Sequence, residues 1–284
     1  MEKLWTFCLS VVVFGLASCD ERQWYKKELE DDTKKKYAVQ LRSGAFYRNY
    51  QGTVAEQMHH YEALRLDSTN GDLWRELGTA RVKRGILDEM DFYYAEAVKR
   101  KPEKWAGFRG YLYLYFYRDF ERAIADFNLN DEVMGEVSHS QGQDHDYMRG
   151  IAYYGLADYG KALDFLSRYI ERVEEEEGAE WVDVYAYLYQ GLTLMKLGKD
   201  DEAIAAFDDV LTHYPRLVDA YLHKAKVYQA KNELEKAQQQ LLKAEEFFNM
   251  GYFHQRPYVE VLEQVYRQDI EEVKEVQKVK EANS

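Results

Sequence analysis

Between Gly71 and Pro102 the apolar positions recur with a helical period. Trp74, Leu77 and Gly78 share one face of a first helix, and Gly85 interrupts it. Tyr94, Ala97 and Val98 share one face of a second helix, which Pro102 ends. The spacing predicts two helices packed antiparallel. One such hairpin cannot bury its own apolar stripes, so it requires neighbours. The pattern does recur. Gly44, Gly78, Tyr111, Gly150, Gly191 and Ala225 stand at the expected helix crossings, and the first two and the last two are each 34 residues apart. Tyr111 is the one bulky residue among them. Three positions on, a large side chain is expected. Tyr47, Leu114, Tyr153, Leu194 and Tyr228 supply it, and Arg81 departs from the pattern. In the second helices Ala123, Ala162, Ala203 and Ala237 take the crossing, where Met90 and Glu56 do not fit. One turn later come Tyr94, Phe127, Leu166, Phe207 and Leu241, on the same face. Six helix pairs are expected over residues 37–249.

Two longer steps mark insertions. Asn128 to Asp146 is polar with two glycines and reads as a loop. Ile170 to Asp183 carries the Glu174–Glu177 run and Gly178, which reads as a helix extension followed by a turn. Asn249 to Arg256 is expected to turn the chain. Pro257 is then expected to open a final helix from Tyr258 to about Lys280, with Leu262, Val265, Tyr266, Ile270 and Val273 as its apolar stripe. Residues 250–284 would thus form a capping helix and tail. At the other end, residues 1–18 read as a targeting segment. Lys3 precedes an apolar run, Leu4 to Gly15, that is too short to span a bilayer. Residues 19–36 are dense in both signs of charge and read as a solvated tether or a leading helix.

Composition narrows the function. A net charge of −13 argues against nucleic-acid partners and against electrostatic docking on anionic lipid. Of the 2 cysteines, Cys8 lies in the targeting segment, which leaves Cys19 and no pair for a disulfide. His139, Asp144, His145 and Asp146 are metal-capable side chains in one insertion, but their spacing matches no known site. His59 and His60 are neighbours and point apart on a helix. Glu174–Glu177 lacks a calcium-loop pattern. No phosphate loop, Gly-x-Ser-x-Gly, His-Glu-x-x-His or dinucleotide fingerprint occurs. Neither an enzyme nor a cofactor or metal is expected.

Trp74, Leu77, Gly78 and Pro102 match, in order and spacing, a pattern of the tetratricopeptide repeat, whose period is about 34 residues. The chain resembles that family over about residues 37–249. The resemblance implies an all-α solenoid of six helix-turn-helix repeats with a C-terminal capping helix. Leu16-Ala17-Ser18-Cys19 resembles the bacterial lipobox, which implies cleavage before Cys19 and a lipid on its thiol. The runs Gly110–Asn128 and His145–Leu163 resemble repeat lipoproteins of the Bacteroidota. That implies an anchored envelope protein, expected on the periplasmic face of the outer membrane. In this family the first helices line a concave groove. By register that face holds Phe108, Leu112, Tyr115, Phe116, Tyr147, Ile151, Tyr154, Leu188, Leu192 and Met195, with Arg75, Thr79 and Lys83 at its amino-terminal end. The implied function is a scaffold whose groove takes a segment of a protein partner, with Arg75 or Lys83 meeting a carboxylate. The alternative is a carbohydrate-binding accessory of a polysaccharide-uptake system, whose tyrosines would stack on sugars.

Overall fold

The computed structural model describes residues 31–256 and 258–282, apart from the side chains of 45–48. The targeting segment, Cys19, most of the tether, Pro257 and the Tyr47 side chain therefore lie outside the described residues. The chain divides into two compact units, at Pro102.

The first unit holds α1 (Asp31–Arg48), α2 (Val54–Leu66), α3 (Gly71–Lys83) and α4 (Leu87–Arg100). The end of the charged stretch, from Asp31, thus opens a helix. α1 pairs with α2 and α3 with α4. Thr53 and Asn70 start α2 and α3 by accepting from the Glu56 and Asp72 amides at 3.3 and 3.1 Å. Gly85 leaves the α3–α4 corner at φ 70°. The expected close approach is present: a Cβ on Gly78 would lie 2.6 Å from the Tyr94 ring, which is fully buried. Gly44 is different, because an added Cβ there meets nothing within 4 Å, so it marks no tight crossing. Arg81 fills the place of the missing large residue. Its guanidinium lies 4.6 Å from the Tyr93 ring centre and bonds Tyr61 Oη at 2.7 Å and the Glu89 carboxylate at 3.0 Å.

The second unit holds α5 (Pro102–Leu112), α6 (Phe120–Met134), α7 (His145–Gly155), α8 (Tyr159–Glu176), α9 (Val184–Lys196), α10 (Asp200–His213), α11 (Val218–Ala230), α12 (Leu234–Asn249) and α13 (Arg267–Ala282). Asp119, Asp144, Asp158 and Asp183 cap α6, α7, α8 and α9 through their carboxylates. Gly150 meets Leu166 and Gly191 meets Phe207, each with room for no Cβ.

The crossing predicted at Tyr111 falls instead on Gly110, where an added Cβ would lie 2.7 Å from Phe127. The cause is a π-helical turn, Tyr113–Tyr117, after α5. It takes one extra residue, so counting back from Leu114 by ordinary helical spacing lands one position late.

The first insertion is not a loop throughout. α6 runs on to Met134, Gly135 ends it at φ 78°, and a two-residue ribbon follows, β1 (His139–Ser140) against β2 (Gln143–Asp144). The second insertion extends α8 and then turns at Gly178, as its composition predicted. The final helix begins ten residues later than Pro257. Asp269 sets its start by accepting from the Tyr266 amide at 2.7 Å, half of a capping box. Ile270 and Val273 seat α13 on Val218, Leu222, Ala225 and Leu241. The described residues of 250–266 form no helix and bond Arg118, Tyr154, Asp183 and Tyr189 of the second unit.

Candidate partner-binding groove

Of the predicted groove residues of the second unit, Tyr115, Tyr147, Ile151, Tyr154, Leu188 and Leu192 share one buried cluster with Met195 against it, and Phe108, Leu112 and Phe116 lie outside that cluster. Leu112, Tyr115, Tyr147, Ile151, Tyr154, Leu188 and Leu192 are all buried, Phe108 and Met195 are half-buried, and only Phe116 is exposed, at 39%. The expectation of a bare aromatic face is therefore corrected. Its physical reason is an occupant from the same chain. Val261 joins the cluster of Tyr115, Tyr147 and Leu188, and Val259 and Leu262 pack on it. Burying those three side chains removes apolar surface that a helix at 258–266 would have left in water. The tyrosines that a sugar would stack on are among the covered residues.

Polar bonds fix the occupant. The Arg256 guanidinium bonds the Asp183 carboxylate and lies 5.0 Å from the Tyr185 ring centre. Asp183 has a second task, since its other oxygen caps α9 at the Tyr185 amide, 3.0 Å away. Arg118 donates to the Glu260 carbonyl, and Tyr189 Oη donates to the Leu262 carbonyl at 3.1 Å. Tyr154 Oη donates to Glu263 Oε1 at 2.8 Å, and Tyr214 Oη to Gln255 Oε1 at 2.8 Å. Burial, reinforced by the Glu263 carboxylate, pushes the Tyr154 hydroxyl up and keeps it a donor. The Asp219 carboxyl is buried close to Val265. Burial raises it to about 6, and neither of its oxygens has a hydrogen-bond partner.

Sequence reasoning missed Arg118, Asp183, Arg256 and Glu263. One signal was present: Val259-Glu260-Val261 alternates with period two, the mark of an extended segment rather than of a helix.

In the first unit Arg75 is engaged, because its guanidinium meets Glu76 at 3.2 Å and Glu76 also faces Arg42 at 3.7 Å. These groups and His60 line a hollow of about 320 Å³. Burial lowers the His60 imidazole and raises the Glu56 carboxyl, which favours the neutral form of each. Thr79 Oγ1 bonds Tyr94 Oη at 3.0 Å. Lys83 is exposed and donates to Gln51 Oε1 at 2.6 Å.

The metal-capable side chains of the first insertion go separate ways. His139 is exposed, Asp144 caps α7, and Asp146 bonds Arg149 at 3.0 Å. His145 links Ser140 Oγ at 2.9 Å to Asp131 Oδ1 at 2.6 Å. That is the order of an acyl-transfer triad, but the imidazole is wholly buried, 4.9 Å from the Phe127 ring. The hydroxyl is pressed onto α5, where a Cβ on Gly107 would overlap it. This relay pins the ribbon to α5 and α6. Burial alone would raise the Asp131 carboxyl, but bonds from His145 and Arg149 outweigh it and hold it below the ordinary range.

The tetratricopeptide-repeat family model matches residues 185–216, and a second model of the same repeat matches residues 218–247. These are the α9–α10 and α11–α12 pairs. No curated protein matches the chain by sequence. Among solved structures it is similar to YrrB, described as a tetratricopeptide-repeat protein with an unusual peptide-binding site. Identity there is 18%, the TM-score is 0.52, and the match covers 76% of this chain and 97% of that one. It is similar to PilW, a type IV pilus biogenesis factor, at 17% identity and TM-score 0.55, over 82% of this chain and 96% of that one. It is also similar to pilF of Pseudomonas aeruginosa, at 14% identity and TM-score 0.53, over 78% and 96%. At these identities the likeness is one of fold.

Proposed function

Since the chain is a tetratricopeptide-repeat protein, we propose that it is a protein-interaction scaffold of a bacterial envelope, tied to the membrane by a lipid on Cys19. The second unit is the working surface in this reading. The observation that carries it is the convergence of side chains from successive helices on one extended segment: Arg118, Tyr154, Asp183 and Tyr189 all bond residues 256–263. A groove that holds its own chain through side-chain donors and a carboxylate acceptor has the chemistry to hold a partner's chain. The lipobox-like tetrapeptide supports the anchor. Among the described residues no helix is long and apolar enough to cross a membrane.

The test is a photoreactive residue placed in cells at Phe116, at the exposed rim of the groove, and separately at Asp164 on α8. Their exposures are 39% for Phe116 and 67% for the Asp164 side chain. A discrete adduct with a protein, formed from Phe116 and absent from Asp164, is expected. The same adducts from both positions, or none from Phe116, would contradict the reading.

A further inference from the structure

Residues 250–266 form a loop closed at its base. Arg267 at the start of α13 bonds Asn249 at the end of α12, and Ile270 and Val273 seat α13 in a cluster that also takes Val265 and Tyr252 from the two ends of the loop, so the part free to leave is the middle, residues 253–263. Such a loop can leave the surface it covers without unravelling the elements on either side. Its hold on the repeats is that of a bound peptide. Two main-chain carbonyls, of Glu260 and Leu262, accept from the side chains of Arg118 and Tyr189. Two apolar side chains are buried, Val261 to 4% exposure among the groove helices and Val265 to 2% beside α13.

The most selective contact is made by Arg256. Its planar guanidinium pairs with a carboxylate and lies beside an aromatic ring, a combination that an aliphatic or acidic side chain cannot satisfy. The present occupant therefore reports what the groove reads.

We infer that loop 250–266 is a tethered ligand of the second unit, and that its competitor is an extended partner segment presenting an arginine to Asp183 and Tyr185. This rests on the reading of the repeats as a partner-binding scaffold and names the partner's chemistry. Because the loop is held at a high effective concentration, a free segment of equal intrinsic affinity binds the intact chain weakly. Loop release is then the step that opens the groove.

The test uses the full chain with residues 253–263 replaced by a short Gly/Ser bridge, which keeps the buried Val265 beside α13. The probe is a fluorescent synthetic peptide of residues 252–266. The bridged chain is expected to bind this peptide. It should bind the Arg256→Ala peptide about 10-fold more weakly, and the intact chain should bind the unaltered peptide at least about 10-fold more weakly than the bridged chain does. A bridged chain that keeps its helical circular dichroism yet ignores the peptide overturns the inference. So does equal binding of both peptides, or equal binding by bridged and intact chains.

If the bridged chain loses its helical signal, Arg256→Ala in the otherwise intact chain decides. Butylguanidinium is expected to raise its melting temperature more than it raises that of the unaltered chain, and equal shifts overturn the inference. A partner adduct from Phe116 together with failure of these tests leaves the scaffold standing and removes only the loop.

Discussion

A methyl group is enough to probe the helix crossings. At Gly78 a Cβ would lie 2.6 Å from Tyr94, whose ring is fully enclosed and has nowhere to retreat. Gly78→Ala is expected to cost about 1–3 kcal/mol in urea unfolding. Gly44→Ala, in a helix and facing open space, is expected to gain about 0.5–1 kcal/mol. Stability changes of the same sign in both variants, or with the two signs exchanged, would refute the packing described. Asp219 gives a test in pH. Its carboxyl holds a proton to about 6 in the folded chain and releases it near 3.8 when unfolded. The folded state is therefore favoured at low pH, loses that advantage as pH rises from about 4 to 6, and carries the cost of a buried anion above that. Asp219→Asn should raise stability at pH 7 by about 2–3 kcal/mol and flatten its pH dependence between 4 and 6. A variant whose profile keeps the original slope would contradict this.

Among the elements, what the sequence made legible was whatever repeated. Gly78, Gly150 and Gly191, with Tyr94, Leu166 and Phe207, stand where the period put them, because each is paired within one hairpin by local spacing. The misreadings have local physical causes. The π turn at Tyr113–Tyr117 shifts a crossing from Tyr111 to Gly110, and no residue type announces a π turn. Residues 258–266 have enough apolar side chains to suggest a helix. Burial of Val261 in the core of the repeats, with the bonds from Arg118, Tyr154 and Tyr189, outweighs that local preference. That Tyr115, Tyr147, Ile151, Tyr154, Leu188 and Leu192 fall in one cluster was legible from the helical register. Their covering was not, since the contact joins Arg256 to Asp183 across 73 residues.

The cap is testable as an element too. Gln277 is 2% exposed and donates to the Leu234 carbonyl at 2.9 Å, while accepting from Gln229 at 3.0 Å. Gln277→Ala leaves Gln229 short of a partner and should loosen α13 by about 1–3 kcal/mol. Faster amide exchange confined to α13 is the expected readout. Unchanged exchange there would show that the glutamine pair does not hold the cap.

At the scale of the whole molecule, the proposed function puts attachment and recognition on separate stretches of chain. Cys19→Ser is expected to move the protein from the membrane fraction to the soluble one while leaving the peptide affinity of the repeats unchanged. Retention in the membrane fraction would contradict the proposed anchor. The central claim is that the repeats hold residues 250–266 as a removable occupant rather than as part of their own core. Thiol labelling tests it most directly, in a chain whose two native cysteines are replaced by serine. Val261→Cys places the thiol in the loop, and Leu166→Cys places it between α7 and α8; both parent side chains are buried. The account predicts that the loop thiol is labelled at least about 100-fold faster, at a rate insensitive to low urea, because it is reached by local opening. Equal rates with equal urea dependence would mean that the loop leaves only when the repeats unfold.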